Sequence, residues 1–107
     1  MELTMDNPAI YKLALSAEWE AYKKEGIYKG SALDQADGYI HCSTMDQIQG
    51  TLDKFFDGQT NVILLTIDTS VIKQHLKWEK SPRSGQIFPH IYGPLPIHAV
   101  IKQEKIA

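Results

Sequence analysis

The sequence predicts an α+β domain with two main helices and five or six strands in a largely antiparallel or mixed sheet. Three observations predict it. Short apolar or alternating segments are bounded by turn formers, as strands are. Two other segments carry helix-start signals followed by apolar or aromatic residues three and four apart. The later strand candidates are joined by short links, which favour antiparallel neighbours over crossovers. With 107 residues the chain is one domain, 1–107, with its core over about 10–104.

The first strand is IYKLAL at 10–15, marked at its start by Pro8. Ser16 then serves as N-cap of a helix over 17–25, with Glu18 and Glu20 near the positive end of its dipole. Trp19 and Tyr22 share a face of that helix, and Gly26 stops it. The stretch 28–38 holds the turn formers Gly30, Asp34, Asp37 and Gly38, with a short helical turn near 32–35. Residues 39–43 form a short strand. Period two turns Ile40 and Cys42 to the core and Tyr39, His41 and Ser43 to the other face.

Thr44 to Gln47 fits a capping box and opens a helix over 45–56. Ile48, Leu52, Phe55 and Phe56 form its core stripe. The run 61–68 is a buried central strand, followed by one helical turn at 71–74. Residues 75–80 alternate, with Leu76 and Trp78 on one face and Lys77 and Glu79 on the other. A polar loop follows at 81–85. Residues 86–92 are extended, with Phe88, His90 and Tyr92 on one side and Pro89 limiting the hydrogen bonding. Residues 93–96 make a rigid bend. The last strand, 97–104, turns Ile97, Ala99 and Ile101 to one face.

Composition excludes several classes. Eleven basic residues, all Lys but Arg83, stand against 13 acidic ones for a net charge of −2. That balance argues against a duplex nucleic-acid partner, which calls for a basic stripe. The single Cys leaves no internal disulfide. The longest strictly apolar run, 62–65, is far below the ~18 residues of a membrane span, so no membrane partner is expected. Residues 1–7 lack a signal-peptide pattern. The expectation is a cytoplasmic protein.

Four polar clusters are candidates for chemistry. His41, Ser43 and Thr44 sit at a strand-to-helix junction, where free N–H groups suit an anion; Ser43 or Thr44 also reads simply as a helix cap. Glu79, beside Trp78, faces a site if Trp78 packs inward, and otherwise pairs with a Lys on the surface. Arg83 carries a planar fork suited to phosphate, beside Gly85. His90 and Tyr92, in FPHIYGP, supply stacking and hydrogen bonding for a planar ligand, or belong to a structural bend. No Gly-rich phosphate loop, metal-ligand spacing or nucleophile elbow is present, and Cys42 reads as buried and inert.

These residues carry a resemblance. DGYIHCST at 37–44, WE at 78–79, FPHIYGPL at 88–95 and IYK at 10–12 resemble the ordered motifs of the domain of unknown function 952 family. Tyr39 stands where Phe is usual, and Cys42 where an aliphatic residue is usual. That family is similar in fold to the ADP-ribosyltransferases, which implies a split sheet around a cleft for NAD. In such transferases an early-strand His or Arg contacts the ribose region, a Ser- or Thr-bearing strand lines the cleft and a late Glu steers the reacting ribose. Lys12 occupies the early strand here. By resemblance, Glu79 and His41 are the catalytic candidates, and Ser43, Thr44, Arg83, His90 and Tyr92 the ligand-binding ones. No cofactor is fixed by the residues, and NAD is the candidate substrate of a glycosyl transferase or hydrolase. The alternatives are a non-catalytic module for a small nucleotide or anion, and a protein-interaction domain that presents the segment 88–92.

Overall fold

A computed structural model of the chain describes residues 9–107. Residues 1–7, and Pro8 at the start of the first strand, lie outside the described residues. Strand β1 (Ile10–Leu15) takes the bounds its apolar run predicts and pairs with β4 (Val62–Ile67). The other edge of β4 pairs with β8 (Val100–Lys105), so β4 is central, as its apolar run requires. A second three-stranded sheet runs β3 (Ile40–His41), β6 (Ile87–Ile91), β5 (Leu76–Lys80). A two-stranded ribbon joins β2 (Ile27–Tyr28) to β7 (Leu95–Pro96).

The three-stranded sheets meet at one point. Tyr11 and Ser43 exchange both backbone bonds, each at 2.8 Å. Pro89 accounts for the crossing. It stands in the middle of the central strand β6, where proline is normally excluded. Cys42 N–H donates to the Pro89 carbonyl at 3.0 Å, and Pro89 has no N–H to return. The ladder between β3 and β6 ends there, and the chain leaves β6 for β1.

Helices fill the connections: α1 (Ser16–Glu25), α2 (Ala32–Asp37), α3 (Ile48–Phe55) and α4 (Thr69–Ile72). No helix among the described residues is long and apolar enough to cross a membrane. The core gathers Ile10, Trp19, Tyr28, Leu65, Ile67, Ile91 and Leu95 from all three sheets and α1. Trp19 is fully buried, and its Nε1–H donates to Gln103 Oε1 at 2.9 Å, which satisfies its polar atom.

Several expectations are corrected. Among the described residues there are eight strands rather than five or six, and beside the two main helices the short turns expected near 32–35 and 71–74 are the helices α2 and α4. Every named pairing is antiparallel, so the sheets are not mixed. Ser16 is the first helical residue, not the cap. Leu15 takes the cap position, and the Ser16 N–H finds the Asn61 carbonyl at 2.8 Å, so no side-chain cap is needed. The predicted helix 45–56 opens with a 3₁₀ turn, Met45–Gln47, and Phe55 is exposed rather than core. The bend at 93–96 contains β7, and residues 97–99 form a 3₁₀ turn before β8. Trp78 does not pack inward: it is 46% exposed, because β5 is the sheet edge.

The two tryptophans give a test. Trp19→Ala should cost about 3–5 kcal/mol, and Trp78→Ala under ~1 kcal/mol, measured by urea unfolding.

Candidate functional site

The site begins with a capping motif. Ser31 caps α2: its Oγ accepts from Asp34 N–H at 3.1 Å, and Asp34 Oδ2 accepts from Ser31 N–H at 2.9 Å. The same carboxylate takes Lys12 Nζ at 2.7 Å on Oδ2. Its Oδ1 takes His41 Nδ1 at 2.6 Å and the His41 backbone N–H at 3.1 Å. Asp34 is 2% exposed and Lys12 6%. Burial alone would raise the Asp34 carboxyl, but the bonds from His41 and Lys12 and the Lys12 charge outweigh it and hold it well below the usual carboxylate range.

Gly30 makes room for this arrangement. Its φ is +93°, and a Cβ there would lie 2.7 Å from Asp34 Cβ and 2.8 Å from Oδ2. At the other end of α2, Asp37 Oδ2 reaches His41 Nε2 at 3.0 Å. Both ring nitrogens of His41 therefore face carboxylates. Carboxylates only accept, so both contacts are satisfied together only when both nitrogens carry protons.

A second histidine sits across the ladder. His41 pairs with His90, and His90 with Lys77 on the far side. Cross-strand partners share a face, so His41, His90, Lys77, Phe88 and Glu79 lie together. His90 Nδ1 meets Glu79 Oε1 at 2.7 Å, and Tyr92 OH donates to the same oxygen at 2.6 Å. Those bonds, Tyr92 first, lower the Glu79 carboxyl and keep it ionised at neutral pH. The Tyr92 hydroxyl is in turn pushed up to about 12, chiefly by its bond to Glu79. Lys77 Nζ lies 4.8 Å from the Tyr92 ring centroid. Tyr39 completes the wall, its ring centroid 4.5 Å from His41, 4.1 Å from His90 and 5.2 Å from Tyr92. A groove of about 310 Å³, lined by Lys29, Gln35, Gly93 and Pro94 among others, adjoins this wall at Tyr39 and Asp34.

Four of the residues singled out in the sequence thus come together: His41, Glu79, His90 and Tyr92. Three do not. Ser43 is buried, its hydroxyl 3.1 Å from Thr51 Oγ1 on α3, because the chain has already turned toward β1. Thr44 serves the helix start, its N–H donating to Gln47 Oε1 at 3.0 Å and its hydroxyl to Asp46 Oδ1 at 2.6 Å. Arg83 is exposed in the loop of the β5–β6 hairpin, with no ion-pair partner among the described residues. Cys42 is buried, and burial pushes its thiol up to about 12, as befits an inert core thiol. The segment 88–92 is not the exposed contact expected of it: Pro89, His90 and Ile91 are buried in a central strand. Sequence reasoning put Tyr39 on the face of His41 but passed over Lys12, Asp34 and Asp37 as site residues. A lysine inside an apolar strand and the Ser31-x-x-Asp34 spacing were the available signals.

Fold and site together define a small α+β domain whose two three-stranded antiparallel sheets join beside a histidine–carboxylate cluster. A family model described as "Protein of unknown function (DUF952)" matches residues 13–103, and the chain belongs to that family. It is similar to the crystal structure of protein CC0527 from Caulobacter crescentus, at 43% identity and a TM-score of 0.87, covering 92% of this chain and 86% of that one. The solution NMR structure of CC0527 agrees at 44% identity and a TM-score of 0.80, covering 92% and 84%. No curated protein matches the chain.

Asp34→Asn leaves Lys12 without its buried counter-charge and should cost about 3–5 kcal/mol at neutral pH. The folded carboxyl is depressed, so its stabilisation is present above the unfolded value and is lost as pH falls. The gap between wild type and variant should therefore narrow below about pH 4, read by urea unfolding across pH. A constant gap would contradict the ionised pair.

Proposed function

We propose that this face binds a nucleoside-like ligand with a flat, cationic ring and acts on its N-glycosidic bond, with NAD or a related nucleotide as substrate. Glu79 carries the reading. It is an ionised carboxylate, fixed through Oε1 by Tyr92 and His90, and among the described residues nothing bonds to Oε2. Its side chain is half-buried beside aromatic rings. Breaking a C–N glycosidic bond builds positive charge on the ribose, and a fixed carboxylate at that point stabilises it, as in glycoside hydrolysis. Tyr39, which also borders the groove, offers a stacking surface for the ring.

The carboxylates suit the cationic nicotinamide end of such a ligand: Glu79 and Asp37 are acidic and Lys12 is buried against Asp34, while Lys77 lies on the same face and Lys29 lines the groove. The reaction type rests on the resemblance to ADP-ribosyltransferases. A second reading, a binding module without chemistry, draws on two observations: Lys12 occupies the early strand as a buried ion-pair partner, and His41 has both ring nitrogens engaged.

Titration calorimetry with NAD, paired with a nicotinamide-release assay, decides between them. Glu79→Gln is expected to bind NAD with little change and to lose roughly 10²–10³-fold in turnover. Unchanged turnover removes Glu79 from the chemistry. Binding without product in the unaltered protein selects the binding module, and no binding heat rejects both.

A further inference from the structure

We propose that His90, not His41, is the proton acceptor of this site, with Glu79 holding its other ring nitrogen. The inference rests on the glycosidic-bond reading above and assigns its acid–base step. It comes from the contrast between two histidines that face each other across one ladder, with ring centroids 5.6 Å apart. His41 has no nitrogen to spare: Nδ1 is taken by Asp34 at 2.6 Å and Nε2 by Asp37 at 3.0 Å. It is a ring fully engaged by acceptors, braced by the buried Lys12–Asp34 pair, and it packs at a tilt against Tyr39. His90 is bonded at Nδ1 only, to Glu79 at 2.7 Å. Among the described residues no group reaches its Nε2. A carboxylate at Nδ1 fixes the tautomer that carries the Nδ1 proton and leaves Nε2 as the basic atom. This is the arrangement of an oriented general base.

The groups that face His90 are consistent with the role. Glu79 and Lys77 come from β5, His41 from β3, Tyr39 from the turn before it, and Tyr92 from the end of its own segment. Glu79 also offsets the charge that His90 gains. In the step itself, water attacks the ribose C1′. The C1′–O bond forms, the C1′–N bond breaks, and its electron pair leaves with neutral nicotinamide. The proton of the attacking water passes to His90 Nε2, and the imidazolium is held by the Glu79 carboxylate. The substrate class is therefore a nicotinamide nucleotide and the acceptor is water.

Nitrogen-15 NMR of the unaltered protein at neutral pH tests the proton assignment without any need for turnover. His90 should show a protonated Nδ1 and a bare Nε2. A proton on His90 Nε2 in the neutral ring overturns the proposal. The kinetic arm uses NAD hydrolysis. His90→Gln keeps an N–H donor for Glu79 and should retain NAD binding within about threefold while turnover falls roughly 10²–10⁴-fold. Added imidazole should restore part of the activity of His90→Ala. Wild-type turnover in His90→Gln overturns the proposal. Absence of NAD binding in the unaltered protein removes the functional reading instead, and the ring-nitrogen pattern still decides where the protons sit.

Discussion

Asp34 is a carboxylate with almost no contact with water, and a charge in that position stands only if its partners are complete. Its partners come from three separate parts of the chain: Lys12 on β1, Ser31 at the start of α2, and His41 on β3. The three-stranded sheets share one backbone bridge, Tyr11 to Ser43, and the Lys12–Asp34–His41 chain of charges ties them again close by. Gly30 is part of the same constraint, since any side chain there would collide with Asp34. Specification of the fold and positioning of the site rest on one buried group. Each three-stranded sheet also contributes one of that group's partners, so the group holds only if those two sheets dock in register.

From that anchor the arrangement of the site follows. His41 is fixed from below by Asp34 and from the side by Asp37, and Tyr39 packs against its ring. The cross-strand register then puts His90 next to both. Glu79 and Tyr92 are drawn in by the alternation of β5 and by the strand end beyond β6, and they share one oxygen. A chain of short contacts thus runs from a buried lysine to a half-exposed carboxylate. Order at the surface comes from packing underneath, which is what a preorganised site requires.

What could be read in the sequence was what depends on neighbours along the chain. The bounds of β1, the Gln47 side chain returning to Thr44, the inward Ile40 and Cys42, and the placing of Lys77 and Glu79 opposite Trp78 all follow from local period and capping. What escaped depends on partners distant in sequence. Nothing near Lys12 announces Asp34, so a buried ion pair was read as a missing ligand contact. Ser43 shares the alternation of His41, but alternation holds only while the strand is straight, and at Cys42 the chain leaves one sheet for the other. Trp78 shows the converse. Its period is right, but its burial depends on whether β5 has an outer neighbour, and it has none.

Pro89 joins these threads. In a central strand a proline removes a ladder bond and normally counts against the assignment. Here the bond it removes is the one that would have held Cys42 to β6 for another residue pair. With that bond absent, Cys42 keeps a single contact and the next residue is free to pair with Tyr11. A residue with an N–H at this position would allow β3 to continue along β6. That would compete with the bridge to β1, and the bridge is what brings Lys12 within reach of Asp34. The ring also suits its surroundings, since Pro89 is buried opposite Trp78 and flanks His90, whose orientation the site needs. The FPHIYGP segment therefore acts through its backbone as well as its side chains: along one edge Pro89 releases β3 toward β1, while His90 and Tyr92 meet Glu79 of β5 beside Tyr39 and His41.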